Sequence, residues 1–224
     1  MTYDIQNIEV DKQVQRYVME GGKMLGPYST HLWRTDPKHL AFTLARYLQV
    51  AKLFGKRGML MEVGCGDALG SELVKAETGA LIFAIDIAPS VIYDAEKRLQ
   101  DNNKIEWGVY DFLNNSPERT RFDGVYCLDV IEHIPASQND QFFRCLSCVV
   151  REGAMIIVGT PNVTAKDYAS EVSRKTHVNL QSAASLEIYM RRICRTVMMF
   201  GMNDTTLHTG YLNMAHYLLA VGVQ

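Results

Sequence analysis

Residues Met59–Ser71 read MLMEVGCGDALGS. Met59, Leu60 and Met61 form an apolar run that Glu62 breaks and Val63 resumes, which predicts a short buried strand, parallel because both of its faces are apolar. Gly64 and Gly66 follow, one residue apart; two glycines so placed let the backbone turn sharply and let a ligand approach the peptide groups. From Gly70 to Ala76 the pattern Ser71, Glu72, Leu73, Val74, Lys75 suits a helix. Strand, glycine turn and helix N-terminus together make a nucleotide cradle at the carboxyl end of a parallel strand. A dinucleotide fingerprint G-x-G-x-x-G begun at Gly64 requires glycine at position 69, where Leu69 stands, so a nicotinamide oxidoreductase is disfavoured.

The chain has 224 residues, 47% of them hydrophobic, which suffices for one well-filled α/β domain and not for two. A net charge of −2 gives no basic excess for long nucleic acid or a membrane surface. No apolar run approaches the ~20 residues of a membrane span, and the N-terminus, MTYDIQNIEVDKQ, is too polar for a secretory signal. Five cysteines, an odd number in apolar settings, fit a reduced, cytoplasmic protein. Cys145 and Cys148 lie in the helical pattern FFRCLSCVV and read as packing residues.

Before the glycine turn, a helix is expected over Val10–Met19, closed by Gly21-Gly22. Met24–Arg34 reads as a loop whose Tyr28, His31, Trp33 and Arg34 offer stacking surface and donors, either as a lid contacting substrate or as a plug at the domain edge. Asp36-Pro37 starts the next helix as N-cap and first residue. The expected division is residues 1–40 as helix and lid, and 41–224 as the main domain. Ala80–Ile85 reads as a second strand ending in Asp86, an acid about 20 residues past the glycine turn. That is where nucleotide folds hold a ribose diol, and a carboxylate accepts from both hydroxyls; the alternative is a loop acid capping the next helix. Lys104–Tyr110, Phe122–Leu128 and Gly153–Asn162 read as three further strands, Leu186–Arg195 as a helix, and Thr196–Phe200 and His216–Val221 as a closing hairpin.

Glu62-Val63-Gly64-Cys65-Gly66-Asp67 resembles motif I, E/D-x-G-x-G, of class I S-adenosylmethionine (SAM) methyltransferases, with Ala68 where many members have a third glycine. Asp111-Phe112 matches the acid and apolar neighbour after the third strand, and the run from Phe122 to Ile134 resembles motif IV. The resemblance covers about residues 40–224. It implies a doubly wound, seven-stranded, mostly parallel Rossmann-like sheet with one antiparallel strand, and SAM as cofactor. It further implies that Glu62 and Gly64, Cys65, Gly66 and Asp67 hold the methionine half, and that Asp111 and Phe112 hold the adenine. Asp86 holds the ribose, with Ile87 and Leu128 completing the expected cofactor set.

Asp129-x-x-Glu132-His133 resembles the acid-x-x-Glu-His motif of metal-dependent O-methyltransferases, the ubiquinone-biosynthesis and small-RNA 3′-terminal groups, with His177 in the region of their second histidine. That resemblance implies Asp129, Glu132, His133 and His177 as ligands of Mg²⁺ or Mn²⁺, an ion suited to chelating substrate oxygens. The other reading has no metal: Glu132 begins a helix, and His133 or His177 is the base. Asn162 and Tyr168–Asn179 read as an insertion over the acceptor, and His208–Tyr211, with His208 and Tyr211, as a pocket wall. His216 reads rather as a core histidine than a substrate contact. The expected function is O-methylation of a small, polar, hydroxyl-bearing metabolite or sugar by a monomer or homodimer. RNA 2′-O- or N-methylation and a non-catalytic SAM-binding partner protein are the alternatives.

Overall fold

The computed structural model describes residues 5–100, 104–115 and 122–224. Three helices, α1 (Ile5–Glu20), α2 (Pro27–Thr35) and α3 (Pro37–Phe54), precede β1 (Met59–Val63). Strands and helices then alternate: α4 (Leu69–Thr78), β2 (Leu81–Asp86), α5 (Pro89–Arg98), β3 (Ile105–Val109), β4 (Phe122–Leu128), α6 (Asn139–Val149) and β5 (Val150–Pro161). The chain closes with α7 (Glu171–Thr176), α8 (Ala183–Arg191), β6 (Thr196–Met202) and β7 (Tyr217–Val223).

The seven strands form one sheet in the order β3-β2-β1-β4-β5-β7-β6. β1 pairs in parallel with β2 and β4, and β7 runs antiparallel to both β5 and β6. The chain first winds outward from β1 to β3, then returns to start β4 on the other side of β1. Ligands bind in the crevice at such a reversal, beyond the carboxyl ends of the strands. The glycine turn after β1 and the Asp129 segment after β4 therefore meet at one place.

Alternate strand residues face opposite layers of core. Met61, Val125, Cys127 and Ile156 pack with Phe142, Phe143 and Leu146 of α6 and Leu186 of α8. Leu60, Ile82, Tyr126 and Ile157 pack on the other face with Tyr47, Val50 and Phe54 of α3. α3 begins as the sequence predicts, with Pro37 at its first position and the Asp36 carboxylate accepting from the His39 N–H at 3.1 Å.

Two local expectations are corrected. The expected loop at Met24–Arg34 is largely helical: Pro27 presets the first turn of α2, and Ser29 and Leu32 are its buried residues. In α6, Cys145 packs partly against the core as expected, but Cys148 is exposed, because it falls on the outer face of the helix. Among the described residues no helix is long and apolar enough to cross a membrane.

Candidate active site

Gly64 and Gly66 adopt left-handed backbones, with φ of 77° and 54°. Gly64 is also a close approach: a Cβ there would lie 2.4 Å from Cγ2 of Val130, so the β1 turn and the β4 segment touch where a side chain would separate them. Asp86 stands at the tip of β2 and accepts from the Gly66 N–H at 3.0 Å and the Ala88 N–H at 2.9 Å. It is thus a local cap and a tie to the glycine turn, with a further lone pair on each oxygen. Asp111 accepts from the Leu113 N–H at 3.2 Å and the Asn114 amide at 2.8 Å. Phe112 is buried beside it, edge-on to Phe142.

These groups open onto one cavity of about 1200 Å³. Gly64, Cys65, Gly66, Asp67, Asp86, Ile87, Asp111, Phe112 and Leu128 line it. So do Asp129, Glu132, His133 and His177, with Tyr28, His31 and Asn162. Five of the chain's six histidines, His31, His39, His133, His177 and His216, border this single space.

Several expected site residues lie elsewhere. Glu62 is off the cavity wall, fully buried beneath the turn, where Tyr126 donates to it at 2.9 Å. Burial pushes its carboxyl up to about 7, although the hydroxyls of Ser71, Tyr126 and Tyr47 pull the other way. Trp33 and Arg34 are exposed and do not line the cavity, so Trp33 does not plug the domain edge. His208 pairs with Gly201 of β6 through both backbone bonds and covers that glycine, and Tyr211 is exposed; neither is a pocket wall. Asn162 borders the cavity, but its amide donates to Leu212 O and Ala215 O at 2.9 Å each, clasping the end of β5 to the loop before β7. His216 is not a core histidine: it is exposed at the cavity and stacks on Tyr168 at 5.4 Å.

Glu132, His133 and His177 offer ligand atoms that all lie within 4.8 Å of one another. The His133 Nδ1 faces the Thr176 carbonyl at 3.2 Å. A carbonyl only accepts, so Nδ1 carries the hydrogen and Nε2 is left as an acceptor. Glu132 is fully buried: Oε2 accepts from Thr160 at 2.9 Å and Oε1 has no hydrogen-bond partner. Burial, then the charge of Asp129, pushes its carboxyl upward; burial and the neighbouring His133 hold the His177 imidazole below its usual range. A buried orphan carboxylate oxygen beside two imidazoles fits a divalent cation.

Asp129 is not part of this cluster. Both its oxygens accept from one guanidinium nitrogen of Arg46, at 3.0 and 3.3 Å, and its backbone is left-handed at φ 57°. The guanidinium carbon of Arg46 lies over Tyr217, 3.9 Å from the ring centre. The resemblance places four ligands here; the fold brings three together. Sequence reasoning missed Arg46, whose partner lies 83 residues away. It also missed a buried amide chain. Asn179 donates to Ile131 O at 3.2 Å and to Asn139 at 2.7 Å, and Gln181 donates to Asn179 at 2.7 Å. That chain fixes the segment after α7 against residues 131–133 and so brings His177 to Glu132.

Comparison with known proteins agrees with this geometry. The family described as "Methyltransferase domain" matches residues 60–153. A ubiquinone biosynthesis O-methyltransferase of Methylocella silvestris is 32% identical over 111 residues, 49% of this chain and 42% of that protein. A phosphoethanolamine N-methyltransferase of Plasmodium falciparum is 26% identical over 99 residues, 44% of this chain and 37% of that protein. The chain thus matches less than half the length of either relative. The crystal structure of small RNA methyltransferase HEN1 shares the fold at TM-score 0.67 and 18% identity, covering 82% of this chain and 25% of that one. The strand order and the glycine turn agree with that match: residues 60–153 match a methyltransferase domain, and the chain is similar in fold to SAM-dependent methyltransferases.

Proposed function

We propose that this chain transfers a methyl group from SAM to an oxygen of a small, polar, hydroxyl-bearing acceptor. The observation that carries the reading is the single cavity joining the glycine turn, Asp86 and Asp111 to the Glu132–His133–His177 cluster. Cofactor and acceptor can then lie end to end, as an in-line displacement requires. Bound SAM supplies the activated methyl, and the protein has to align the acceptor and take its proton. In this reading Asp86 accepts from the ribose hydroxyls, Asp111 from the adenine amino group, and Phe112 packs on the ring.

His177 is the favoured base. Its imidazole is held below the usual range, so it is unprotonated at neutral pH and ready to accept a hydroxyl proton. His133, with Nε2 as its free acceptor, is the second candidate. In the alternative with a metal, Glu132, His133 and His177 would instead be ligands of a Mg²⁺- or Mn²⁺-like ion, which would act as a Lewis acid on an acceptor oxygen in place of a histidine base. The O-methyl reading draws on the ubiquinone-biosynthesis relative, and the N-methyl alternative on the phosphoethanolamine one. A SAM-binding partner without catalysis would need no polar acceptor half, whereas five histidines surround this one. The net charge of −2 disfavours long RNA.

The test is transfer of labelled methyl from SAM to panels of phenols, sugars and amines, with added Mn²⁺ and with chelator. Label on hydroxyl acceptors, lost in His177→Ala, supports the reading. Label on amines alone overturns the O-methyl assignment, and full activity in chelator removes the metal.

A further inference from the structure

We propose that Asp67, inside the glycine turn, is a positioning residue that caps α2 from a distant part of the chain and thereby seats Tyr28 and His31 in the cavity. α2 starts on Gly26, which has no side chain to cap it, and its first turn holds no acidic residue. The opening N–H groups of a helix need acceptors from outside it. Asp67 provides them: Oδ2 accepts from the Ser29 N–H at 2.7 Å and Oδ1 from the Ser29 hydroxyl at 3.0 Å, and both residues are buried. A carboxylate at this end also complements the helix dipole.

The approach is too close for any side chain at position 26. A Cβ on Gly26 would lie 2.4 Å from Cβ of Asp67. Two further ties brace the same junction. Lys23 pairs with Glu72 in the first turn of α4, and Arg98 donates to the Asp67 carbonyl at 2.6 Å. Asp67 therefore belongs to two structures at once. Its backbone is part of the turn that Asp86 holds through Gly66, and its side chain holds the helix that carries Tyr28 and His31 to the cavity wall. Fixing the turn fixes α2, so occupancy of the cofactor end orders the acceptor end. This coupling rests on the methyltransferase reading; the cap itself does not.

Hydrogen exchange on the full chain, with and without saturating S-adenosylhomocysteine, tests both parts. Gly26 has φ −69°, so alanine suits its backbone and only the contact with Asp67 opposes the change. Gly26→Ala is expected to speed exchange of the amides of residues 28–35 about tenfold, while β1, β4 and β5 keep their protection. Ser29→Ala, a milder change that removes only the hydroxyl bond, is expected to move the same amides in the same direction. S-adenosylhomocysteine is expected to slow them about tenfold in the unmodified protein and less in either variant. Unchanged exchange of 28–35 in ligand-free Ser29→Ala and in any folded Gly26→Ala overturns the cap. Protection by ligand that is equal in all three proteins overturns the coupling. Failure of the unmodified protein to bind S-adenosylhomocysteine overturns the methyltransferase reading, and the ligand-free comparison still decides the cap.

Discussion

Replacing Glu62 by glutamine should change how stability depends on pH. Glu62 is fully buried, and its carboxyl is raised from 4.5 to about 7, with burial the main cause. A carboxyl whose folded pKa exceeds its unfolded value keeps its proton longer in the native state. Its contribution to stability is therefore intact below about pH 4.5 and is lost as pH rises toward 7. A shift of about 2.5 units is worth roughly 3 kcal/mol, of which roughly 2.5 falls between pH 5 and pH 8. Glutamine has the same shape, does not titrate, and still offers an oxygen to the Tyr126 hydroxyl. Urea unfolding of both proteins at pH 5, 6, 7 and 8 measures the effect, since other titrating groups cancel in the difference. The stability of the native protein minus that of Glu62→Gln should fall by roughly 2.5 kcal/mol over this range. A difference constant to within about 0.5 kcal/mol would refute the assignment of Glu62 as a buried, raised carboxyl.

Arg46→Met leaves the part-buried Asp129 without its guanidinium partner and should cost about 1–2 kcal/mol in urea unfolding; adding Asp129→Asn should restore at least half, and no restoration would mean that the pair is not the cause. Gly64→Ala must meet both a φ of 77° and Val130 at 2.4 Å, so loss of S-adenosylhomocysteine binding is expected, and unaltered affinity would contradict the close turn. With His177 as the base, the methyl-transfer rate should rise with pH to a plateau with its midpoint below 6.5, because burial and then His133 lower that imidazole; a midpoint well above 7 would exclude it. Glu132→Ala and His177→Ala should each remove any Mn²⁺-stimulated activity, and stimulation that survives in either variant would place the ion elsewhere.

What the sequence reveals here is what short-range pattern determines. The apolar run before Gly64, the acid ending β2 and the Asp36-Pro37 start of α3 each depend on neighbours in the chain, and each forms as expected. The hairpin of β6 and β7 follows from two apolar runs without a helix between them. α2 escaped because PYSTHLWRT has little apolar period, with only Ser29 and Leu32 buried, and its cap comes from Asp67, 38 residues on. Arg46 and the Asn139–Asn179–Gln181 chain escaped for the same reason, since their partners are set by the fold. His208 and Tyr211 are polar residues before the last strand, but polarity alone does not tell a cavity from solvent. His216 sits where the pattern of that strand predicts a core group, but it falls just outside β7 and borders the cavity.

The central claim is that the cavity at the β1–β4 switch point receives SAM. Calorimetric titration of S-adenosylhomocysteine into the protein, beside Asp86→Asn, tests it most directly. The account predicts saturable binding at one site, weakened about 10- to 100-fold in the variant as a hydrogen bond to a charged group is lost. No binding of S-adenosylhomocysteine, with NADH bound in its place, would contradict it.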